Sequence, residues 1–259
     1  MKQFLAAAIA ACTLAIGTAH AGRPCEDAPL DVATVQQAMT LAEKASSRLA
    51  RTSARVVIIA RAGQDLDRWR VRWSHMAFAY REEGGAWRVV HKLNHCGTSH
   101  SAVYRQGLGD FYLDRMYRYE TAIVALRPDV EEKLLPLLRD DSRATQWHVD
   151  AYNMLAYPWA LEYQQSNQWV LETLAGAMLG DGTSRAQTQE WLKSERYVPA
   201  TLRLDAMTRL GARLTRANVA FDDHPNEKRF AGRIETVTVD SAFAWLKRSG
   251  FGSEPIVVR

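Results

Sequence analysis

Between Val71 and Leu93, apolar and polar residues alternate on either side of a glycine pair, and this restricts the local fold to an antiparallel hairpin. Val71, Trp73, His75, Ala77 and Ala79 alternate with Arg72, Ser74, Met76, Phe78 and Tyr80, the period-2 signature of a strand. Glu82-Glu83-Gly84-Gly85 reads as the reversal, because paired glycines supply the positive φ of a tight turn. Trp87 to Leu93 is the return strand, with Val89, His91 and Leu93 on one face. A loop of three or five residues would set His75 directly opposite His91 on the same face of the pair. Two histidines side by side on a sheet are candidate chemistry; half-buried strand residues with local partners are the alternative.

At 259 residues the chain can bury a sizeable core. Its formal charge is +4, but lysine and arginine are scattered, which argues against a nucleic-acid partner. Mild basicity suits an anionic surface such as a membrane or cell wall. Residues 1–21 read as a secretory signal peptide: Lys2, then an apolar run from Phe4 to Ile16, then Ala19-His20-Ala21 as the cleavage site. A lipidation site at Cys12 ranks second. No later segment approaches a membrane span. The expected location is the periplasm, with cleavage after Ala21. Export leaves Cys25 and Cys96, which an oxidising compartment is expected to join as a disulfide.

Periodicity predicts a helix from Asp31 to about Leu49, with Val32, Val35, Ala38, Met39 and Ala42 on its apolar side. Val56–Ala60 reads as a buried strand, Gly97 to Gly109 as a surface loop and Ala122–Leu126 as a strand. Asp129 to Leu138 reads as a helix that Pro136 should kink or shorten. A further helix starts near Ser166, carries Val170, Leu171, Leu174, Ala175 and Met178 on one stripe, and ends at Gly180. Ser166 is then either an N-cap or a nucleophile whose charge a helix N-terminus would stabilise. Beyond it, Ala186–Ser194 and Ala200–Leu214 read as helices. Ala217–Phe221 and Ile234–Val239 read as strands, Ser241–Arg248 as a helix and Ile256–Val258 as a last strand.

The ordered set SHMAFAY, VVHKLN, YNMLAYP and QQSNQWVLETLA resembles the circularly permuted branch of the papain-like NlpC superfamily, which includes the lecithin:retinol acyltransferase-like proteins. End to end, the mature chain resembles the exported bacterial domain-of-unknown-function 2145 family. The superfamily likeness, over roughly residues 54 to 180, implies His75 as general base, His91 as its orienting partner and Ser166 at the nucleophile position. It also implies that Asn167, Gln165 and Tyr152 contact substrate or its oxyanion. The superfamily has cysteine where this chain has Ser166, and a serine hydroxyl needs a better-aligned base than a thiol does.

A zinc site from His91, His95, Cys96 and His100 is the rival use of these histidines. Those residues fall on a strand-to-loop stretch where they need not converge, so neither a metal nor a cofactor is expected. The expected fold is α+β: a permuted papain-like (NlpC-type) domain over 22–180, with an antiparallel sheet packed on helices, and a C-terminal α/β extension over 181–259. The expected function is hydrolysis or acyl transfer at an amide or ester of a cell-envelope peptide or lipid. A catalytically inactive binding or scaffolding protein that keeps the cleft is the alternative.

Overall fold

The structure, a computed structural model, describes residues 29–259. The signal segment, and Cys25 as the partner of Cys96, lie outside the described residues. Asp31 caps α1 (Val32–Ala50) by accepting the Thr34 N–H at 2.8 Å. The face α1 buries is Ala38, Leu41, Ala42, Ala45 and Leu49, whereas Val32, Val35 and Met39 are exposed. The alanines let the helix lie close to the sheet, so small residues rather than large ones mark its inner side.

There follow β1 (Val56–Ala62), β2 (His75–Arg81), β3 (Trp87–Asn94), β4 (Ser101–Gly107), α2 (Leu108–Tyr112), β5 (Arg118–Ala125), α3 (Pro128–Arg139) and α4 (Asp141–Ala144). The second half holds α5 (Ser166–Leu179), α6 (Arg185–Ser194), β6 (Ala200–Arg203), α7 (Ala206–Thr215), α8 (Asn226–Phe230), β7 (Arg233–Thr236), α9 (Val239–Ser249) and β8 (Ile256–Val258). The main sheet has six strands in the order β4-β3-β2-β1-β5-β8, each pair antiparallel. The protein is thus α+β, an antiparallel sheet packed with helices.

Both sheet faces are covered. Ile58, Met76, Phe78 and Val90 share a core with α3, α5 and α9. Val57, Ile59, Ala77, Ala79 and Val89 share another with α1. Alternation along β2 therefore sorts residues between two cores, and His75 to Tyr80 are all buried. α5 is buried on every side through Gly176, where an added Cβ would fall 2.2 Å from the Trp147 ring. The end of the chain returns to this body: β8 pairs with β5, and α9 places Phe243, Trp245 and Leu246 in the main core. Between them, β6 and β7 form a two-stranded ribbon over a small cluster of Leu204, Val219, Phe221 and Ile234.

Several expectations are corrected. β2 begins at His75, not Val71. Residues 97–109 hold β4 and the start of α2; β4 is an edge strand half-exposed along most of its length, so it lacks the apolar alternation of a strand with one dry face. The helix expected over Ala200–Leu214 is a strand followed by α7, because the Leu202 and Ile234 pair anchors the ribbon. Residues 217–221 form no strand; the Asn153 amide takes both the N–H and the carbonyl of Ala220. Pro136 does not break α3, which runs on to Arg139. Proline removes a single helical bond there, and buried Leu134, Leu137 and Leu138 hold the turn.

Candidate active site

His75, His91 and Gln106 form a diagonal row across β2, β3 and β4. The pairs Arg81↔Trp87 and Phe78↔Val90 fix the β2–β3 register, which extended further sets His91 beside Ala77. The direct opposition expected from the sequence is therefore a diagonal, because the connection over 82–86 shifts the return strand by one pleat. On the far side His91 pairs with Tyr104 and Val89 with Gln106, another diagonal of the same hand. Such neighbours have Cα atoms about 7–8 Å apart, within reach of long side chains. Here the side chains meet: His75 Nε2 lies 3.0 Å from His91 Nδ1, and His91 Nε2 lies 2.8 Å from Gln106 Oε1. At the other end His75 Nδ1 lies 3.3 Å from Ser166 Oγ.

One chemical constraint sets the direction of this chain. An amide oxygen only accepts, so His91 donates from Nε2 to Gln106 and its Nδ1 is bare. His75 must then donate from Nε2 to His91, which leaves its own Nδ1 bare toward Ser166. A bare imidazole nitrogen, able to accept a proton, therefore faces the Ser166 hydroxyl at 3.3 Å.

Ser166 occupies the first helical position of α5, and Gln165 is the N-cap; the reading of Ser166 as the cap is corrected. α5 packs on the sheet face opposite to the histidine row. The two sides meet because the β2–β3 ladder stops at Phe78↔Val90 and His75 stands at the open end. There the Met76 N–H donates to Asn167 Oδ1 at 3.0 Å, and Lys92 Nζ donates to Gln164 Oε1 at 2.9 Å. Asn167 thus tethers the helix start to β2. Gln165 Nε2 donates to Thr236 Oγ1 at 2.6 Å. Burial raises the pKa of Tyr152, partly opposed by its interaction with Ser166.

The segment leading into Ser166 hangs on one buried carboxylate. Glu172 is fully buried and paired with Arg185 at 2.7 Å. It also accepts from Gln168 at 3.1 Å, from Gln189 at 2.8 Å and from Gln164. Arg185 in turn donates to the carbonyls of Leu161 and Tyr163.

The histidine row sits in an apolar, cationic setting. The Phe111 ring lies 6.0 Å from His75 and 5.5 Å from His91. Arg61, the β1 partner of His75, is held by the Phe111 carbonyl and by Asp114. Burial pushes His75 well below its ordinary pKa, and His91 and Arg61 push it further. Burial takes His91 down to about 4, partly opposed by its bond to Gln106 and aided by Arg61. Both rings are therefore neutral at neutral pH, as the relay requires.

A consequence is acid sensitivity. A histidine in the unfolded chain titrates near ~6.5, so between that value and about 4 the unfolded state holds the extra proton at His91. Its contribution is complete above ~6.5 and is lost as pH falls toward 4, on the order of 3 kcal/mol for this residue. Urea midpoints measured at pH 7.5 and 4.5 should fall accordingly, and His91→Gln should flatten the difference. An unchanged midpoint in the wild type would contradict a neutral buried His91.

The relay opens on a cleft of about 660 Å³, whose lining includes His75, Ser166, Trp69, Leu155, Leu204 and Ala212. One wall comes from β6 and α7, in the stretch expected from sequence to be a plain helix. His91, His95, Cys96 and His100 do not converge: His91 faces Gln106, His95 and Cys96 are exposed in the β3–β4 turn, and His100 pairs with Asp150. Sequence reasoning missed Gln106, Arg61 and Phe111. The parity of Gln106 carries meaning only once 101–107 is read as a strand.

Fold and site define an α+β protein with a buried hydroxyl–imidazole relay at the start of its central helix. The chain belongs to the DUF2145 family, described as an uncharacterized protein conserved in bacteria, whose family model matches residues 48–246. No match is found among curated proteins or among solved structures. Among the described residues no helix is long and apolar enough to cross a membrane.

Proposed function

We propose that this protein is a periplasmic hydrolase or acyltransferase of amide or ester bonds, with Ser166 as nucleophile. The observation that carries the reading is the one-way chain Ser166–His75–His91–Gln106, which ends in a hydroxyl aimed at a bare imidazole nitrogen beside the cleft. In the reaction, Ser166 Oγ attacks a substrate carbonyl while its proton passes to His75 Nδ1. The imidazolium formed keeps its Nε2–H on His91, which Gln106 holds in the accepting tautomer. The oxyanion would sit at the first turn of α5, where backbone N–H groups have no helical partner. Asn167 belongs to that turn, and its Oδ1 accepts from the Met76 N–H. His75 then returns the proton to the leaving group, and water or an acceptor alcohol or amine releases the acyl group.

The order of a strand histidine, a second strand histidine and a helix-start serine is similar to the permuted papain-like (NlpC-type) arrangement, with serine for cysteine. From that likeness come cell-wall peptides or lipids as substrates. Periplasmic location rests on the signal-like residues 1–21, and a disulfide between Cys25 and Cys96 belongs to the same reading. A binding protein that retains the cleft is the second reading, favoured by buried Tyr152, whose interaction with Ser166 competes with that of His75.

Ser166→Cys separates the two. On the enzyme reading, the thiol beside His75 and the helix N-terminus titrates well below the ~8.5 of free cysteine. It also reacts with iodoacetamide faster than the same thiol in a His75→Ala background. A thiol at its ordinary value, with no dependence on His75, would transfer the protein to the binding class.

A further inference from the structure

The cleft wall made by α7 has an outer side that nothing in the described chain covers. Thr208, Ala212 and Arg216 line the cleft from one side of the helix. On the other side Met207, Leu210 and Leu214 follow helical spacing and are 76%, 53% and 69% exposed. No residue of α7 is buried. Large apolar side chains gathered on one stripe of a helix, rather than scattered singly, mark an interaction surface. From Arg203 to Arg216 the charged residues are Arg203, Arg209, Arg213 and Arg216 against Asp205 alone. Arg209 and Arg213 border the stripe along one edge. Arg213 pairs with Asp222 at a distant 3.8 Å, with both side chains about half exposed. Arg203 stands directly across the ribbon from Arg233, a like-charge pair that disfavours the ribbon unless an anion lies between them.

We infer that α7 is an interfacial helix that docks the protein on an anionic lipid surface, with Met207, Leu210 and Leu214 entering the acyl boundary and Arg209 and Arg213, which border the stripe, meeting headgroup phosphates. An exposed apolar stripe flanked by arginine has the make-up of a segment that lies in the plane of a membrane interface. Charge selects this occupant: a second copy of the chain would bring the same arginines against each other, whereas a phosphate-rich surface neutralises them. Because the inner side of α7 walls the cleft, docking would bring the cleft close to the lipid without any membrane-spanning segment. The inference does not depend on Ser166 being a nucleophile.

The test is co-sedimentation of the exported protein with vesicles of phosphatidylglycerol and phosphatidylcholine, against vesicles of phosphatidylcholine alone. The wild type should sediment with the anionic vesicles, less with the neutral ones, and less at high salt. Leu210→Asp/Leu214→Asp should lower the bound fraction about tenfold or more, since each lost insertion removes the burial of a large apolar side chain. Ser166→Ala should bind as the wild type does, so failure of the catalytic reading would leave this result standing. Both leucines are exposed, so the melting temperature should hold; should the double variant not fold, Met207→Glu repeats the test. Three results would each overturn the inference: no sedimentation of the wild type, equal binding by the leucine variant, or a wild-type dimer that the leucine substitutions convert to monomer.

Discussion

Glu172→Ala is expected to destabilise the protein by roughly 3–5 kcal/mol, the scale for breaking a buried ion pair from one side. The carboxylate is fully buried, and the Arg185 side chain is only 9% exposed. Removing the acid leaves a guanidinium in the interior without its counter-charge, and the side-chain amides of Gln164, Gln168 and Gln189 lose their common acceptor. Glu172→Gln keeps the shape and part of the bonding but not the charge, so it should fall between wild type and alanine. The effect also reaches the site. Gln164 ties the segment before Ser166 both to Glu172 and to Lys92 on β3, and Arg185 grips the backbone of the same segment. Denaturant melts of the three forms measure the loss. A shift within ~0.5 kcal/mol, the scale of an ordinary surface substitution, would show that the network does not support the fold.

The second large effect concerns rate. With His75→Ala, phosphonylation of Ser166 by a fluorophosphonate should slow by about 10³-fold, within the 10²–10⁴ range of a positioned general base. The histidine is buried and neutral, so its loss leaves His91 Nδ1 without a donor and costs on the order of 1–3 kcal/mol of stability. Rates must therefore be compared well below the melting range of the variant. Gln106→Glu offers a finer contrast, because a carboxylate still accepts from His91 but adds charge beside it. It should retain much of the rate and shift its pH profile, whereas a merely structural Gln106 would move the melt and leave the profile in place.

Much of this arrangement was legible in the sequence, and the gaps have physical causes. The hairpin announced itself through alternation and the glycine pair, and strand parity placed both histidines on one face. Offset was not legible, because turn patterns do not fix loop length, and one pleat changes which residues stand opposite. β4 was hidden because an edge strand wetted on both sides has no apolar period to detect. With it went Gln106, the residue that fixes the direction of the relay. The tail of the relay was thus invisible, although its head, Ser166 at a helix start, followed from the stripe through Val170, Leu174 and Met178. The cleft's far wall was misread for another reason. Ala200 to Leu214 has helix-forming composition throughout, and only the pairing of Leu202 with Ile234 makes its first part a strand.

The central claim is that the hydroxyl of Ser166 is activated by His75. Its most direct test is the mass of the protein, and the site of modification, after treatment with a fluorophosphonate. A single adduct on Ser166, formed by the wild type and suppressed in His75→Ala, is the expected result. No adduct on Ser166 in the folded wild type, or an equal yield from the two proteins, would contradict it.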